Sequence, residues 1–159
     1  ACGHTYGANG IWQVNGRAEP YGPSPHGMSW GDTPWDVAMQ LPGSEQLGLG
    51  KALLERFEWW RFEPRPDWVA PHATQESPVA PYAAGIPGVT RVVYLPRGVW
   101  GVTFTGLEPD ARYRAYLFNP TNGSELALGD VTPDSEGQWK IPRQGAPLLQ
   151  DWVVVLDAS

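Results

Sequence analysis

Six short apolar segments, separated by turn residues, follow Gly88 and constrain the fold more than any other feature of the sequence. Each segment is bounded by Gly, Pro, Asp or Asn, which favour turns. In the second, Trp100, Val102 and Phe104 alternate with small or hydroxyl-bearing residues, as in a strand with one buried face. The segments are TRVVYLP, VWGVTFTGL, ARYRAYLFN, SELALGDV, GQWKIP and DWVVVLDA. They predict a small antiparallel β-sandwich over residues 89–159.

Two finer features of these segments carry their own predictions. The run WVVVLD is apolar almost throughout and predicts a strand covered on both faces. The turn NPTNG predicts a hairpin at residues 119–124. Four aromatic residues of the sandwich would either pack in its core or form a sugar-stacking platform, and core packing is the commoner fate of such residues. These residues are Trp100, Tyr116, Trp139 and Trp152.

The first 88 residues have a different character. They hold 11 of the 17 prolines, so long helices are few there. The run TPWDVAMQ predicts a short helix with Thr33 as N-cap and Pro34 at its first position. A second helix is predicted from Ser44 to Trp60, because apolar residues recur on one helical face. Residues 71–88 read as a proline-rich connector.

Charge and composition exclude several classes of partner. Phosphate binding needs a basic face, but the net charge is −6 and the 11 Lys and Arg residues do not cluster, so nucleic acid is not expected. No apolar run approaches the roughly 20 residues that span a bilayer. Cys2 stands alone and forms no internal disulfide. The three histidines lack nearby ligand-spaced residues, so we expect neither a metal site nor a cofactor.

The opening stretch GHTYGANGIW concentrates polar and aromatic side chains among glycines. A strand that ends in such a loop is typical of the ligand-binding mouth of a (β/α) barrel. His4 and Tyr6 are two residues apart, so both would point to one side and bind sugar hydroxyls, with structural packing as the alternative. Trp12 is a candidate for stacking on a sugar face. Asn9 either forms a turn or contacts ligand, and Trp30 is a candidate for the cleft mouth.

Several motifs, in this order along the chain, resemble the C-terminal part of the apiosidase-like glycoside hydrolases. They are GHTYGANGIW, LPGSEQLGLGKALLE, WWRFEPRPDW, VVYLPRG, FNPTNG and DWVVVLD, and they span nearly the whole chain. In that family a (β/α)8 barrel precedes a β-sandwich catalogued as a collagen-binding domain of a collagenase. The resemblance implies a mixed α+β chain, with residues 1–70 as the last strand and helices of a TIM barrel and residues 89–159 as an ancillary β-sandwich. Nothing in these residues gives a physical reason for collagen binding.

The resemblance also implies where the chemistry resides. The acid/base Asp and nucleophilic Glu of the family lie on earlier barrel strands, so no catalytic residue is expected in this chain, which alone would be inactive. The expected partners are a polysaccharide or oligosaccharide substrate and the rest of the barrel, either as missing N-terminal residues or as a companion chain. An extracellular or periplasmic location would fit the family, but the sequence does not fix it.

The chain's own carboxylates and its one nucleophile-like motif do not replace those residues. A retaining glycosidase needs two carboxyl groups about 5 Å apart. The six candidates in the first part of the chain fall on helix starts, helix surfaces or connectors, where solvated carboxylates are the rule. They are Asp32, Asp36, Glu45, Glu55, Glu58 and Glu63. The motif GMSWG fits a nucleophile elbow but follows no buried strand. The competing hypothesis is a non-catalytic β-sandwich module that binds carbohydrate or protein.

Overall fold

The structure is a computed structural model that describes residues 10–11, 14–16, 33–96, 101–142, 145–147 and 149–158. The chain forms two compact units. The smaller unit is Cys2–Lys51, and the larger one begins at Ala52. Apart from Gly10 and Ile11, the predicted last barrel strand lies outside the described residues.

Two helices were predicted before the sandwich, and both are present with altered ends. Helix α1 is Trp35–Ala38, and Pro34 rather than Thr33 is its N-cap, without a side-chain capping bond. The Thr33 cap was therefore wrong, because Pro34 is extended, with ψ of 150°, and separates Thr33 from the helix. Helix α2 is Pro42–Leu54.

The predicted continuation of α2 to Trp60 is wrong. After Leu54 the amides of Arg56 and Phe57 bond to carbonyls only three residues back, at 3.2 and 3.0 Å. This tighter winding ends the α-helix. Trp59–Arg61 then form a separate 3-10 turn.

The larger unit contains two antiparallel sheets, as expected of a β-sandwich. The strands are β1 Glu63–Pro64, β2 Val69–Ala70, β3 Tyr82–Ile86, β4 Thr90–Leu95, β5 Thr103–Phe104, β6 Tyr113–Phe118, β7 Glu125–Asp130, β8 Trp139–Lys140 and β9 Trp152–Ala158. One sheet has six strands in the order β1-β3-β4-β9-β6-β7. The other has three strands in the order β2-β5-β8. A second 3-10 turn, Pro66–Trp68, precedes β2.

The strand predictions after Gly88 are confirmed, with the second and fifth segments reduced to two-residue strands. The predicted hairpin is also present, since β6 and β7 pair on either side of residues 119–124. Strand β3 was missed and lies in the stretch that reads as a connector. Its sequence YAAGI consists largely of small residues, so it shows no clear alternation of large apolar and polar side chains. A Cβ on Gly85 would lie 2.0 Å from the carbonyl oxygen of Thr90, so this close strand approach requires glycine.

The main hydrophobic core lies between the two sheets. Trp152 is buried there, and its indole Nε1 donates to the carbonyl oxygen of Pro147 at 3.0 Å. Trp139 packs on Phe104 with 5.7 Å between ring centroids. These two tryptophans therefore belong to the core rather than to a sugar-stacking platform. Trp100 lies outside the described residues.

The outer face of the six-stranded sheet is covered in its centre. Val154 and Val155 are adjacent in β9, point to opposite faces and are both fully buried, which confirms the strand predicted to be covered on both sides. Residues 52–62 cross this outer face. Arg56 binds Glu125 of β7 at one end, and the turn Trp59–Arg61 contacts β3 at the other.

Candidate functional site

The predicted sugar-contacting residues lie outside the described part of the chain. They are His4, Tyr6, Asn9, Trp12 and Trp30, and Ser29 of the GMSWG motif lies there too. The structure does describe the turn beside them, at residues 10–11 and 14–16. We call these residues, together with Thr33 and the amide of Trp35, the Asn15 turn.

The Asn15 turn closes through the backbone. The amide of Asn15 donates to the carbonyl oxygen of Gly10 at 2.9 Å, and the amide of Val14 donates to that of Ile11 at 3.1 Å. Gly10 has a φ of 89°, and a Cβ there would lie 2.1 Å from the carbonyl oxygen of Thr33. Only glycine combines this left-handed conformation with so close an approach.

Asn15 ties the turn to the beginning of α1. Its side chain is buried, and Nδ2 donates to the carbonyl oxygen of Thr33 at 3.1 Å. Its own carbonyl oxygen accepts the amide of Trp35 at 3.0 Å. A buried amide with its hydrogen bonds satisfied fixes the backbone on both sides of it. The helix, strand and sugar-binding patterns of the sequence do not predict this role of Asn15, although the dipeptide Asn15-Gly16 is itself a turn signal.

Val14 carries backbone strain. Its φ is 52°, in the left-handed region that β-branched residues avoid, and its side chain is 69% exposed. Such a conformation costs about 1–3 kcal/mol and persists only where the surroundings over-determine it. The bonds from Asn15 supply that constraint. Strain of this kind clusters at ligand-binding sites, and here it stands two residues after Trp12 in the sequence.

Two of the predicted non-catalytic carboxylates, Glu58 and Glu63, are exposed in the structure. Glu58 forms an ion pair with Arg61, both well exposed, and Glu63 lies exposed on β1. Within the described residues no three His, Cys, Asp or Glu side chains come together in a way that would hold a metal ion. In the same part of the chain, no helix has the length and apolar character needed to cross a membrane.

An ionic cluster lies at one end of the sandwich. The Arg91 side chain is fully buried, and its Nη1 donates to the carbonyl oxygen of Thr105 at 2.8 Å. Nη2 donates to Gly106 and, at 2.8 Å, to Oε2 of Glu108. The guanidinium also lies over the ring of Trp68, 4.2 Å from its centroid. In the sequence Arg91 reads only as part of a strand, because its partners are distant along the chain.

The electrostatics of this cluster favour the ionised carboxylate of Glu108, which pairs with Arg91. Partial burial favours the neutral form of Glu108, but hydrogen bonds from Tyr113 and Arg91 outweigh it and lower the pKa of the carboxyl. The Tyr113 hydroxyl donates to Glu108 at 2.6 Å. Burial, reinforced by that bond, raises the pKa of Tyr113 to about 12. A general acid needs a raised carboxyl pKa, so Glu108 has the opposite property.

Solved structures share this fold. One is a protein described as a glycoside hydrolase, with 21% sequence identity and a TM-score of 0.73. A second is a glycoside hydrolase family 5 protein from Bacteroides vulgatus ATCC 8482, with 19% identity and a TM-score of 0.71. Each match covers 99% of this chain but only 33% and 32% of the other chain, so this chain spans about a third of their length. The fold is therefore that of a glycoside hydrolase-related segment.

The family comparison is more specific. Residues 1–61 match the model of the apiosidase-like catalytic domain. The resemblance predicted from the sequence is thus confirmed, and the chain is similar to the apiosidase-like glycoside hydrolases. No curated protein matches the chain.

Proposed function

We propose that this chain is the C-terminal segment of an apiosidase-like glycoside hydrolase that cleaves a polysaccharide. In this proposal the last strand and helices of the barrel lie within residues 1–62 rather than the predicted 1–70, because β1 and β2 pair with strands of the sandwich, and residues 89–159 belong to the ancillary sandwich. Strands β1 to β3 add to that sandwich, so the connector is shorter than residues 71–88. The segment supplies one wall of the substrate cleft, and the catalytic carboxylates come from the preceding barrel strands.

The Asn15 turn is the observation that carries this proposal. It lies within the stretch that matches the catalytic-domain family. In the sequence it directly follows His4, Tyr6 and Asn9, and its residues flank Trp12. A strained and tightly bonded turn is suited to hold a loop at a binding cleft, because loops on rigid supports carry most ligand contacts. In this proposal His4 and Tyr6 hydrogen-bond sugar hydroxyls, Trp12 stacks on a sugar ring, and Asn9 and Trp30 line the mouth.

The smaller unit also presents apolar side chains that suit a protein neighbour. Trp35 of α1 and Met39, its C-cap, are four residues apart, so they lie on one side of the helix, and both are exposed. Clusters of this kind mark surfaces that another protein element covers. In this proposal the cover is the preceding part of the barrel, present either in the same polypeptide or in a companion chain. The isolated chain is then inactive.

The test is mutagenesis of the longer enzyme that contains this sequence. We expect His4→Ala and Tyr6→Phe to lower kcat/KM on polysaccharide by about 10-fold to 100-fold, which corresponds to the loss of one or two substrate hydrogen bonds. Val79→Ser, an exposed change on the sandwich, serves as the matched control and should leave kcat/KM unchanged. Unaltered kinetics in both site variants would refute the cleft-wall role.

A further inference from the structure

Two tyrosines lie side by side on the outer face of the six-stranded sheet. Tyr82 of β3 and Tyr94 of β4 are directly opposite each other in the antiparallel pairing. Cross-strand partners share one face and have Cβ atoms about 5 Å apart. Their side chains are 52% and 37% exposed, while Ala84 and Val92, the next pair on this face, are half-buried beside them. We call Tyr82 and Tyr94 the tyrosine face.

Both phenol groups are held in place by the protein. The Tyr82 hydroxyl donates to the carbonyl oxygen of Pro78 at 2.8 Å, and the Tyr94 hydroxyl donates to Oδ2 of Asp151 at 2.7 Å. Each ring is thus anchored at both ends, by its Cβ and by its hydroxyl. A ligand that stacks on these rings pays little further cost in side-chain ordering, which is the advantage of a preorganised surface.

The size of the tyrosine face argues against a protein as its occupant. With about 200 Å² for a whole aromatic side chain, the two exposed portions together offer roughly 200 Å². A stable protein interface buries about 800 Å² on each partner. The tyrosine face is therefore too small for a dimer or a protein ligand, and its dimensions suit one or two sugar rings.

The charge of the molecule indicates that the ligand is uncharged rather than anionic. The chain carries a net charge of −6, and the group that accepts the hydrogen bond of Tyr94 is the carboxylate of Asp151. Both features repel an anionic polymer. Aromatic rings with bound hydroxyls present apolar planes, which match the C–H face of an uncharged sugar.

We propose that the tyrosine face binds a neutral polysaccharide chain by stacking of sugar rings on Tyr82 and Tyr94. This inference rests on the proposed function, because a polysaccharide-cleaving enzyme meets long glycan chains. It concerns residues of the larger unit that the predicted cleft wall does not include. The tyrosine face would keep the enzyme on its polymeric substrate.

The test is affinity electrophoresis of this chain in native gels that contain mixed-linkage β-glucan, xyloglucan or galactomannan. We expect at least one polymer to retard the wild type and the double variant Y82A/Y94A to lose at least tenfold in affinity. Y82F/Y94F keeps both rings and should retain binding. Trp35→Ala removes an exposed aromatic residue of the smaller unit and is the matched control. A second pair, Y82L/Y94L, keeps strand-forming apolar side chains and guards against misfolding of the alanine variants.

Three outcomes would overturn the inference. They are a wild type that no polymer retards, an affinity that Y82A/Y94A and Y82L/Y94L leave unchanged, and an equal loss in Trp35→Ala, which would indicate unspecific adhesion. The result is independent of hydrolysis by the longer enzyme. Failure of glycan binding here therefore leaves the cleft-wall role untouched, and failure of the His4 and Tyr6 variants leaves glycan binding by the sandwich untouched.

Discussion

Replacement of Arg91 by methionine removes the centre of the buried ionic cluster. Methionine fills a similar volume but leaves the carbonyl groups of Thr105 and Gly106 without their donor and Glu108 without its cation. Breaking a buried ion pair from one side costs about 3–5 kcal/mol. Glu108 is 30% exposed, so water relieves part of its loss, whereas the arginine side is fully buried. We therefore expect the free energy of unfolding to fall by about 4 kcal/mol.

That loss is large against the about 5–15 kcal/mol that stabilises an ordinary domain. It corresponds to a decrease in Tm on the order of 15 °C for a unit of this size. The assay is urea denaturation followed by far-UV circular dichroism, with the midpoint compared at an unchanged m-value. Arg114→Met is the matched control, because Arg114 and its partner Asp130 are 78% and 82% exposed. We expect the control to shift stability by no more than about 0.5 kcal/mol.

The comparison of Arg91→Met with Arg114→Met tests whether the buried ion pair stabilises the fold. If Arg91→Met unfolds within about 1 kcal/mol of the wild type, the buried ion pair contributes no more than a surface pair does. The explanation of how the loop that carries Glu108 is held to β4 would then be wrong.

Individual contacts lead to three further predictions. Glu108→Gln should destabilise the chain at neutral pH, and its difference in stability from the wild type should shrink as the pH falls below about 4.3. The reason is that a carboxyl with a lowered folded-state pKa contributes stability above its unfolded pKa and loses that contribution on protonation. Equal pH profiles in urea titrations would contradict this. Gly85→Ala should cost on the order of 3 kcal/mol, since its Cβ would meet the Thr90 carbonyl oxygen, and a thermal midpoint equal to that of the wild type would show that the strands separate freely. Asn15→Ala should cost about 1–3 kcal/mol by leaving the Thr33 carbonyl unbonded, and it should raise amide hydrogen exchange of the Trp35 N–H; unchanged exchange would argue against the turn's rigidity.

Much of the sandwich is predictable because its strands repeat simple local signals. Strands β4, β6, β7 and β9 combine apolar runs with flanking turn residues, and these signals act over fewer than ten residues. Strand β3 lacks such a signal, since its small residues fit a loop as well as a strand. Its place in the sheet depends on the close approach of Gly85 to β4, which is a property of the pair rather than of the segment.

The candidate site is less predictable for a related reason. The sequence singles out side chains with sugar-binding chemistry, but the bonds that fix Asn15 join residues 18 and 20 positions apart. The same holds for Arg91 and Glu108, which are 17 positions apart. Tertiary packing brings such partners together, and local sequence periodicity does not predict these contacts. The tyrosine face likewise emerges only from strand register.

The central claim is that this chain works as part of a larger glycoside hydrolase, and the most direct measurement is the mass and composition of the native protein that contains it. During purification from the native source, each fraction is assayed for polysaccharide hydrolysis, and mass spectrometry identifies every polypeptide in the active fraction. We expect the activity to reside in a polypeptide or complex about three times the length of this chain, as in the solved structures that it matches. Polysaccharide hydrolysis by this chain isolated on its own would contradict the claim.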